Sequence, residues 1–239
     1  AANPDQEDFD EDDKGDACDP CPYDYNPGNA YCPETIYDVK SGVVGTGSTV
    51  RVVDALVTAI GQRSGVYQGF FVQVASDDPA YAGPDHSGLY CYGPSVNPRP
   101  EVGSRVTLDG SVGDYFGQIQ LTLRSVEVTA PAGDGPTPVE VDPADVATGG
   151  TRAAALEGVV VRVLDLTTLD VAPAPGAGDA APINEFIVTG GLRVNDFVHL
   201  LDPFPLVGDE FASITGVLRW ANEHSKLEPR SEFDAVRRN

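Results

Sequence analysis

From Val43 onward, apolar and polar positions change over in short runs bounded by Gly, Ser, Asp and Pro. Val50-Arg51-Val52-Val53-Asp54 and Gly69-Phe70-Phe71-Val72-Gln73 are β-branched and aromatic segments of strand length. Gly88-Leu89-Tyr90-Cys91-Tyr92, Val102 to Val112, and Gln118-Ile119-Gln120-Leu121-Thr122-Leu123 follow at similar spacing. Twenty prolines and 26 glycines punctuate these runs, and no long helical periodicity develops. One short helix is expected within 143–157, around Ala144, Val146 and the Ala153-Ala154-Ala155 run. The pattern predicts an all-β body.

The second half of that body repeats the first. Val161-Arg162-Val163-Leu164-Asp165 echoes Val50 to Asp54, and Glu185-Phe186-Ile187-Val188 echoes Gly69 to Gln73. Val207-Gly208 stands where Val102-Gly103 stood, and Gly216 to Leu227 matches Gly110 to Leu121 with the same internal spacing. Offsets of 111, 115 and 105 residues between matched segments mean two tandem units, not a short-period solenoid. About five strands per copy, with a long middle connection, suit a small closed barrel of the OB type. An immunoglobulin-like sandwich is the fallback. The expected division is an extended arm over 1–38, a first barrel over 39–135, and a second over 136–239 that opens with the short linker helix.

Charge separates the arm from the barrels. The chain carries 37 acidic and 15 basic residues, a net charge of −22. Residues 1–38 hold 12 of the acidic groups and a single base, Lys14. A surface of this sign repels phosphate backbones and anionic headgroups, which makes nucleic acid and membrane surfaces poor partners. No apolar stretch approaches the ~18 residues of a membrane span. The chain has no methionine, so Ala1 is expected to be a processed or trimmed end.

Within the arm, Asp8, Asp10, Asp12, Asp16 and Asp19 occupy positions 1, 3, 5, 9 and 12 of a twelve-residue loop. Alternate side chains on a curving backbone are how a loop wraps oxygens around Ca²⁺, with the main-chain carbonyl of position 7, here Lys14, as a further ligand. Calcium bound at the affinities of extracellular modules requires millimolar Ca²⁺, which places the protein outside the cell. Cys18, Cys21, Cys32 and Cys91 allow three full pairings. Cys18-x-x-Cys21 lacks the second pair that a zinc site would need, so disulfides are the better account of a secreted chain.

The run Asn3-Pro4-Asp5-Gln6 through Asp8-x-Asp10-x-Asp12 to Gly15-Asp16-Ala17-Cys18-Asp19 resembles the thrombospondin type 3 calcium repeat, over about residues 1–33. The resemblance implies ligand roles for Asp8, Asp10, Asp12, Asp16 and Asp19, and assigns Asn3 and Asp5 to a neighbouring ion. It also implies a Cys21–Cys32 bridge. Cys18 then pairs with Cys91, pairs with another molecule, or stays reduced. The family has glycine at the sixth loop position, where this chain has Asp13. A second repeat opens with Cys21-Pro22 and Asn26-Pro27 but breaks off at Cys32-Pro33.

Over about residues 40–236, the phrases Gly-Phe-Phe-Val-Gln, Val-Gly-Ser-Arg-Val-Thr-Leu-Asp-Gly-Ser-Val and Tyr115-Phe116-Gly117-Gln118 resemble the OB-fold domains that precede the catalytic domain in secreted bacterial nucleases. Val207-Gly208-Asp209 and Lys226-Leu227-Glu228-Pro229-Arg230 resemble the end of such a domain.

Catalytic patterns are thin. His86, His199 and His224 lie in unrelated contexts, no G-x-S-x-G occurs, and Gly42 to Gly47 lacks the Lys-Ser/Thr of a phosphate loop. Asp77, Asp78 and Asp85 share one loop, where solvation is the simpler reading than a second ion. Phe70, Phe71, Tyr90, Tyr92, Tyr115, Phe116 and Trp220 could stack bases or sugars, but few cations accompany them, and strand aromatics of this kind are more often core. The expectation is a non-enzymatic, secreted, calcium-stabilised structural protein of a cell surface or matrix. It would assemble with itself into a fibre, arm against neighbouring barrel. The alternative is a binding module for single-stranded nucleic acid or polysaccharide.

Overall fold

A computed structural model describes residues 7–179 and 183–238. The first barrel comprises β1 (Thr49–Arg63), β2 (Val66–Gln73), β3 (Gly88–Tyr92), β4 (Arg105–Tyr115) and β5 (Gln118–Ala130). They close in the order β1-β2-β3-β5-β4, with β3 parallel to β5 and the other pairs antiparallel. After β6 (Val139–Glu140), the second unit comprises β7 (Val160–Asp170), β8 (Phe186–Val188), β9 (Leu192–Val194), β10 (Glu210–Ala221) and β11 (His224–Glu228). Pairing of β10 with β7 closes these five into a ring of the same order, again with one parallel pair, β9 with β11. β6 extends β7, and β12 (Ala235–Arg237) extends β10. The chain is all-β, built of two OB-like five-stranded barrels.

The internal repeat extends to backbone detail. Long β1 bends at Asp54, whose φ is 54°, and β7 carries the same left-handed kink at Asp165, φ 55°. Gly103 donates its N–H to Val57 O at 2.8 Å, and Gly208 to Thr168 O at 2.9 Å. Both glycines sit at φ near 90°, a conformation a side chain would strain. The hairpin turns Phe116-Gly117 and Asn222-Glu223 also correspond, with positive φ at both positions as two-residue turns of this hand require.

Helices differ from expectation. Within 143–157 only α2 (Pro143–Val146) forms, because the Gly149-Gly150 pair, with Gly149 at φ 81°, turns the chain soon after. An unanticipated helix, α1 (Ile36–Ser41), is capped by reciprocal Thr35 and Asp38 bonds and ends at Gly42, φ 80°. The expected arm boundary at residue 38 falls inside this helix. Ile36 and Val39 enter the first core beside Phe70, Val72, Leu89 and Leu121.

Phe197 joins the barrels. Its ring lies 6.3 Å from Phe71 and 5.8 Å from Tyr90, in a cluster with Ala59, Val160 and Val217. Gly61 leaves room for it, since a Cβ there would stand 2.5 Å from Phe197 Cε1. The Gly88 and Gly158 backbones cross so closely that a Cβ on Gly88 would meet Gly158 C at 2.2 Å. Glu228, fully buried, holds the segment that presents Phe197: it accepts from Phe197 N at 3.0 Å and from Asn195 Nδ2 at 2.9 and 3.1 Å. Arg219 stacks 3.7 Å above the Phe197 ring and lies 3.7 Å from Glu228. Burial raises the Glu228 carboxyl to about 7, against the opposing pull of Arg219, the Asn195 bond, Lys226 and the Phe197 N–H.

Phe197→Ala should cost about 3–5 kcal/mol of stability in urea unfolding. An unchanged midpoint would show that the inter-barrel cluster contributes nothing. Because the folded pKa of Glu228 lies above its ordinary 4.5, the folded state binds the extra proton between the two values. Stability should therefore fall as pH rises from about 4.5 to about 7. In Glu228→Gln that part of the slope should disappear, read as the difference between the two proteins' unfolding curves at matched pH.

Candidate metal centre

Residues 7–30 contain no helix or strand, so hydrogen bonds and a disulfide must shape this part of the arm. The backbone turns at Glu11, φ 58°, and again at Asp13, φ 71°. Asp13 thus sits in the left-handed region, which Asp tolerates better than most side chains. Asp8 braces this turn, accepting from Asp12 N at 3.2 Å and Asp13 N at 3.1 Å. Asp12 accepts from Lys14 N at 2.8 Å and from Asn26 N at 3.2 Å.

Asp8, Asp10 and Asp12 each bring a carboxylate oxygen within 4.8 Å of the others. Both oxygens of Asp10 are enclosed and neither makes a well-aligned hydrogen bond among the described residues, although the Asp12 main-chain N–H lies near. Burial, then the charges of Asp12 and Asp19 and the nearness of Asp8, push the Asp10 carboxyl above its ordinary range, against the opposing pull of the Asp12 main-chain N–H. Three crowded carboxylates with one left unsatisfied form an arrangement that a cation would complete. They are hard oxygen donors of the kind that suit Ca²⁺.

The other residues expected as ligands lie around this cluster. Asp16 closes the loop, accepting from Phe9 N at 2.9 Å while its own N–H donates to Glu7 O at 2.8 Å. Asp19 is buried and accepts from Cys21 N at 3.0 Å. Neither belongs to the three-carboxylate cluster. Lys14 takes part through its side chain, with the ammonium on Asn26 O and 3.6 Å from Asp12 Oδ2. Asn3 and Asp5 lie outside the described residues.

Asn26, which the sequence offered only as the opening of a second repeat, is wholly buried and ties the halves of the arm together. With its amide nitrogen facing the carboxylates, it donates to Asp12 Oδ2 at 2.9 Å and reaches both Asp19 oxygens at 3.3 Å, while Oδ1 accepts from Lys14 Nζ at 2.9 Å. The Cys21–Cys32 disulfide closes the loop that carries it, with Cα atoms 5.8 Å apart. Beyond the bridge the arm docks on β1: Arg51 N donates to Cys32 O at 2.9 Å and Glu34 N to Arg51 O at 2.8 Å. Arg124 adds a bond to Tyr31 Oη at 2.9 Å.

The alternative bridge from Cys18 to Cys91 is corrected. Cys91 is a reduced thiol sealed in the first barrel's core, whereas Cys18 is exposed on the arm. Burial raises the Cys91 thiol far above its ordinary value. The other acidic loop does not gather into a site: Asp77 pairs with Arg105 at 2.6 Å, Asp78 caps Ala80 N at 2.7 Å, and Asp85 pairs with Arg152. The histidines have separate surroundings. His199 contacts Glu232 at 2.7 Å and His224 contacts Thr148 at 3.3 Å, while His86 occupies a left-handed turn, φ 64°. Of the aromatics, Phe70, Phe71 and Tyr90 are buried. Tyr92, Tyr115 and Phe116 reach the surface, where Phe116 O accepts from Trp220 Nε1 at 2.9 Å.

Fold and loop together define a tandem-barrel protein with an acidic, disulfide-closed arm that could hold a metal ion. No protein-family model matches this chain, and no curated protein sequence matches it.

Peptide mapping without reductant should recover Cys21 linked to Cys32, while Cys91 resists alkylation until the first barrel unfolds. Opening the bridge in Cys21→Ser/Cys32→Ser should cost the arm about 3 kcal/mol, the chain-entropy value for a loop this short. Rapid alkylation of Cys91 in the native protein would contradict its enclosure.

Proposed function

We propose that this chain is a calcium-stabilised, non-catalytic structural module of a secreted or cell-surface protein. Ca²⁺ at Asp8, Asp10 and Asp12 sets the arm against the first barrel. The observation that carries this reading is Asp10: a carboxylate with enclosed oxygens and no well-aligned hydrogen bond among the described residues, crowded by two further carboxylates. A segment this acidic, with little apolar surface of its own, gains its order from what it binds. Bound ion therefore adds directly to the arm's stability.

Location outside the cell is supported by the disulfide, which persists in oxidising surroundings. No helix among the described residues is long and apolar enough to cross a membrane. A structural role is favoured over a binding module by what covers the first barrel. OB barrels take oligonucleotides and oligosaccharides on the face around their second and third strands. Here Phe71 and Tyr90 of that face pack under Phe197, Val160 and Val217. Self-association through the arm belongs to the same proposal, and exposed Phe9, Tyr23 and Tyr25 supply apolar contacts for it.

Calorimetric titration of the full chain should show Ca²⁺ uptake at millimolar concentration, lost in Asp10→Asn/Asp12→Asn with the barrels' thermal transition unchanged. Absence of uptake by the wild-type chain would overturn the reading. Sedimentation in the same buffers reads assembly separately. A monomer in both calcium and chelator removes self-association and leaves the ion site standing.

A further inference from the structure

Lys226 is the most deeply enclosed base of the second barrel, its side chain only 2% exposed. Its ammonium meets three acceptors: Glu185 Oε1, Asn222 Oδ1 at 3.1 Å and Asp179 Oδ2 at 3.3 Å. Glu185 is equally enclosed, and Arg193 Nη1 holds its other oxygen at 2.8 Å, which leaves Oε1 to the lysine. Asn222 is oriented by the loop opposite. Its Nδ2 donates to Ala177 O at 2.9 Å and its main-chain carbonyl accepts from Ala177 N at 3.1 Å, so Oδ1 is the group turned to Lys226. Gly176 allows that approach, since a Cβ there would stand 2.3 Å from Asn222 O. The first barrel does without such a group. In its matching strand pair, Tyr90 and Gln120 take the places of Arg193 and Lys226, and Phe116 takes that of Asn222 in the following hairpin turn. A barrel of this design therefore does not require buried charge at these positions.

We propose that the second barrel makes its own covalent cross-link, an isopeptide bond between Lys226 Nζ and Asn222 Cγ. An amine, a carboxylate and an oriented amide held in one enclosed place are a nucleophile, its base and its electrophile. Glu185 Oε1 takes a proton from the ammonium, and the electron pair freed on Nζ attacks Asn222 Cγ. As the Cγ–Nδ2 bond breaks, Nδ2 takes a second proton from Nζ and departs as ammonia. The ammonia carries off the proton held on Glu185, leaving as ammonium, so Glu185 ends as it began. The step needs no oxidant and no second substrate. The new bond staples the β10–β11 hairpin, whose Arg219 and Glu228 hold Phe197 between the barrels. This inference goes beyond the calcium reading and does not depend on it.

Mass spectrometry of the full chain, denatured and reduced, tests the bond. The wild-type protein should be lighter than its sequence by one ammonia, and trypsin should fail to cut after Lys226. A protease that cuts after Glu223 should leave Asn222 and Lys226 in one molecule, joined through their side chains. Glu185→Gln keeps the shape without the base, and Lys226→Arg keeps the charge without the amine. Both variants should show their full sequence masses. A wild-type chain of full mass, cut by trypsin after Lys226, would overturn the proposal whatever the variants do. Loss of ammonia with Lys226 still cleavable would also overturn it, since that is the mark of Asn222 cyclising on its own backbone. Loss of water with Lys226 joined to Asp179 would overturn the assignment to Asn222.

Discussion

The seating of Phe197 between the barrels is the contact around which the body of this protein is arranged. A ring can enter the outer face of the first barrel only because Gly61 lacks a side chain, and the barrels can approach only because Gly88 faces Gly158. Glu228 then fixes the segment that carries the ring, at the cost of burying a carboxylate. That cost is moderated because Asn195, the Phe197 N–H and Arg219 all face it. One consequence is mechanical, since two repeats that could have hung on a linker share an apolar cluster. Another is chemical, since the shared cluster occupies a face that a free barrel of this type leaves open to ligands.

The arm meets the opposite problem. It has almost nothing to bury, and its carboxylates repel one another, so each must be matched locally. Main-chain N–H groups match Asp8 and Asp16, the Asn26 amide and the Cys21 N–H match Asp19, and the Lys14 ammonium sits by Asp12. Asp10 is left over. A cation could be held by that group together with Asp8 and Asp12.

How far the sequence reached differs between barrel and arm. Short β-branched runs announced most strands, and the offsets between Asp54 and Asp165 or Gly103 and Gly208 announced the repeat, because these residues answer to local backbone geometry. The helix over Ile36–Ser41 was signalled by Thr35 and Asp38, but too briefly for periodicity to register. In the arm the spacing of Asp8, Asp10 and Asp12 was legible. The amide hydrogen bonds that Asp8, Asp16 and Asp19 accept were not, because residue spacing does not record which carboxylate oxygen finds an amide.

The sequence by itself determined the strand-rich body, its duplication, and the acidic loop with its cysteines. Each of these follows from residue type and spacing within a few positions of the chain. Only the tertiary structure decided that Phe197 closes the first barrel's outer face, that Cys91 is core and not a partner for Cys18, and that Asn26 and Lys14 tie the acidic loop to the second half of the arm. Those outcomes depend on groups far apart in sequence competing for the same space and the same charge. Such competition is settled by packing and desolvation in the folded chain, and it leaves no periodic mark along the chain.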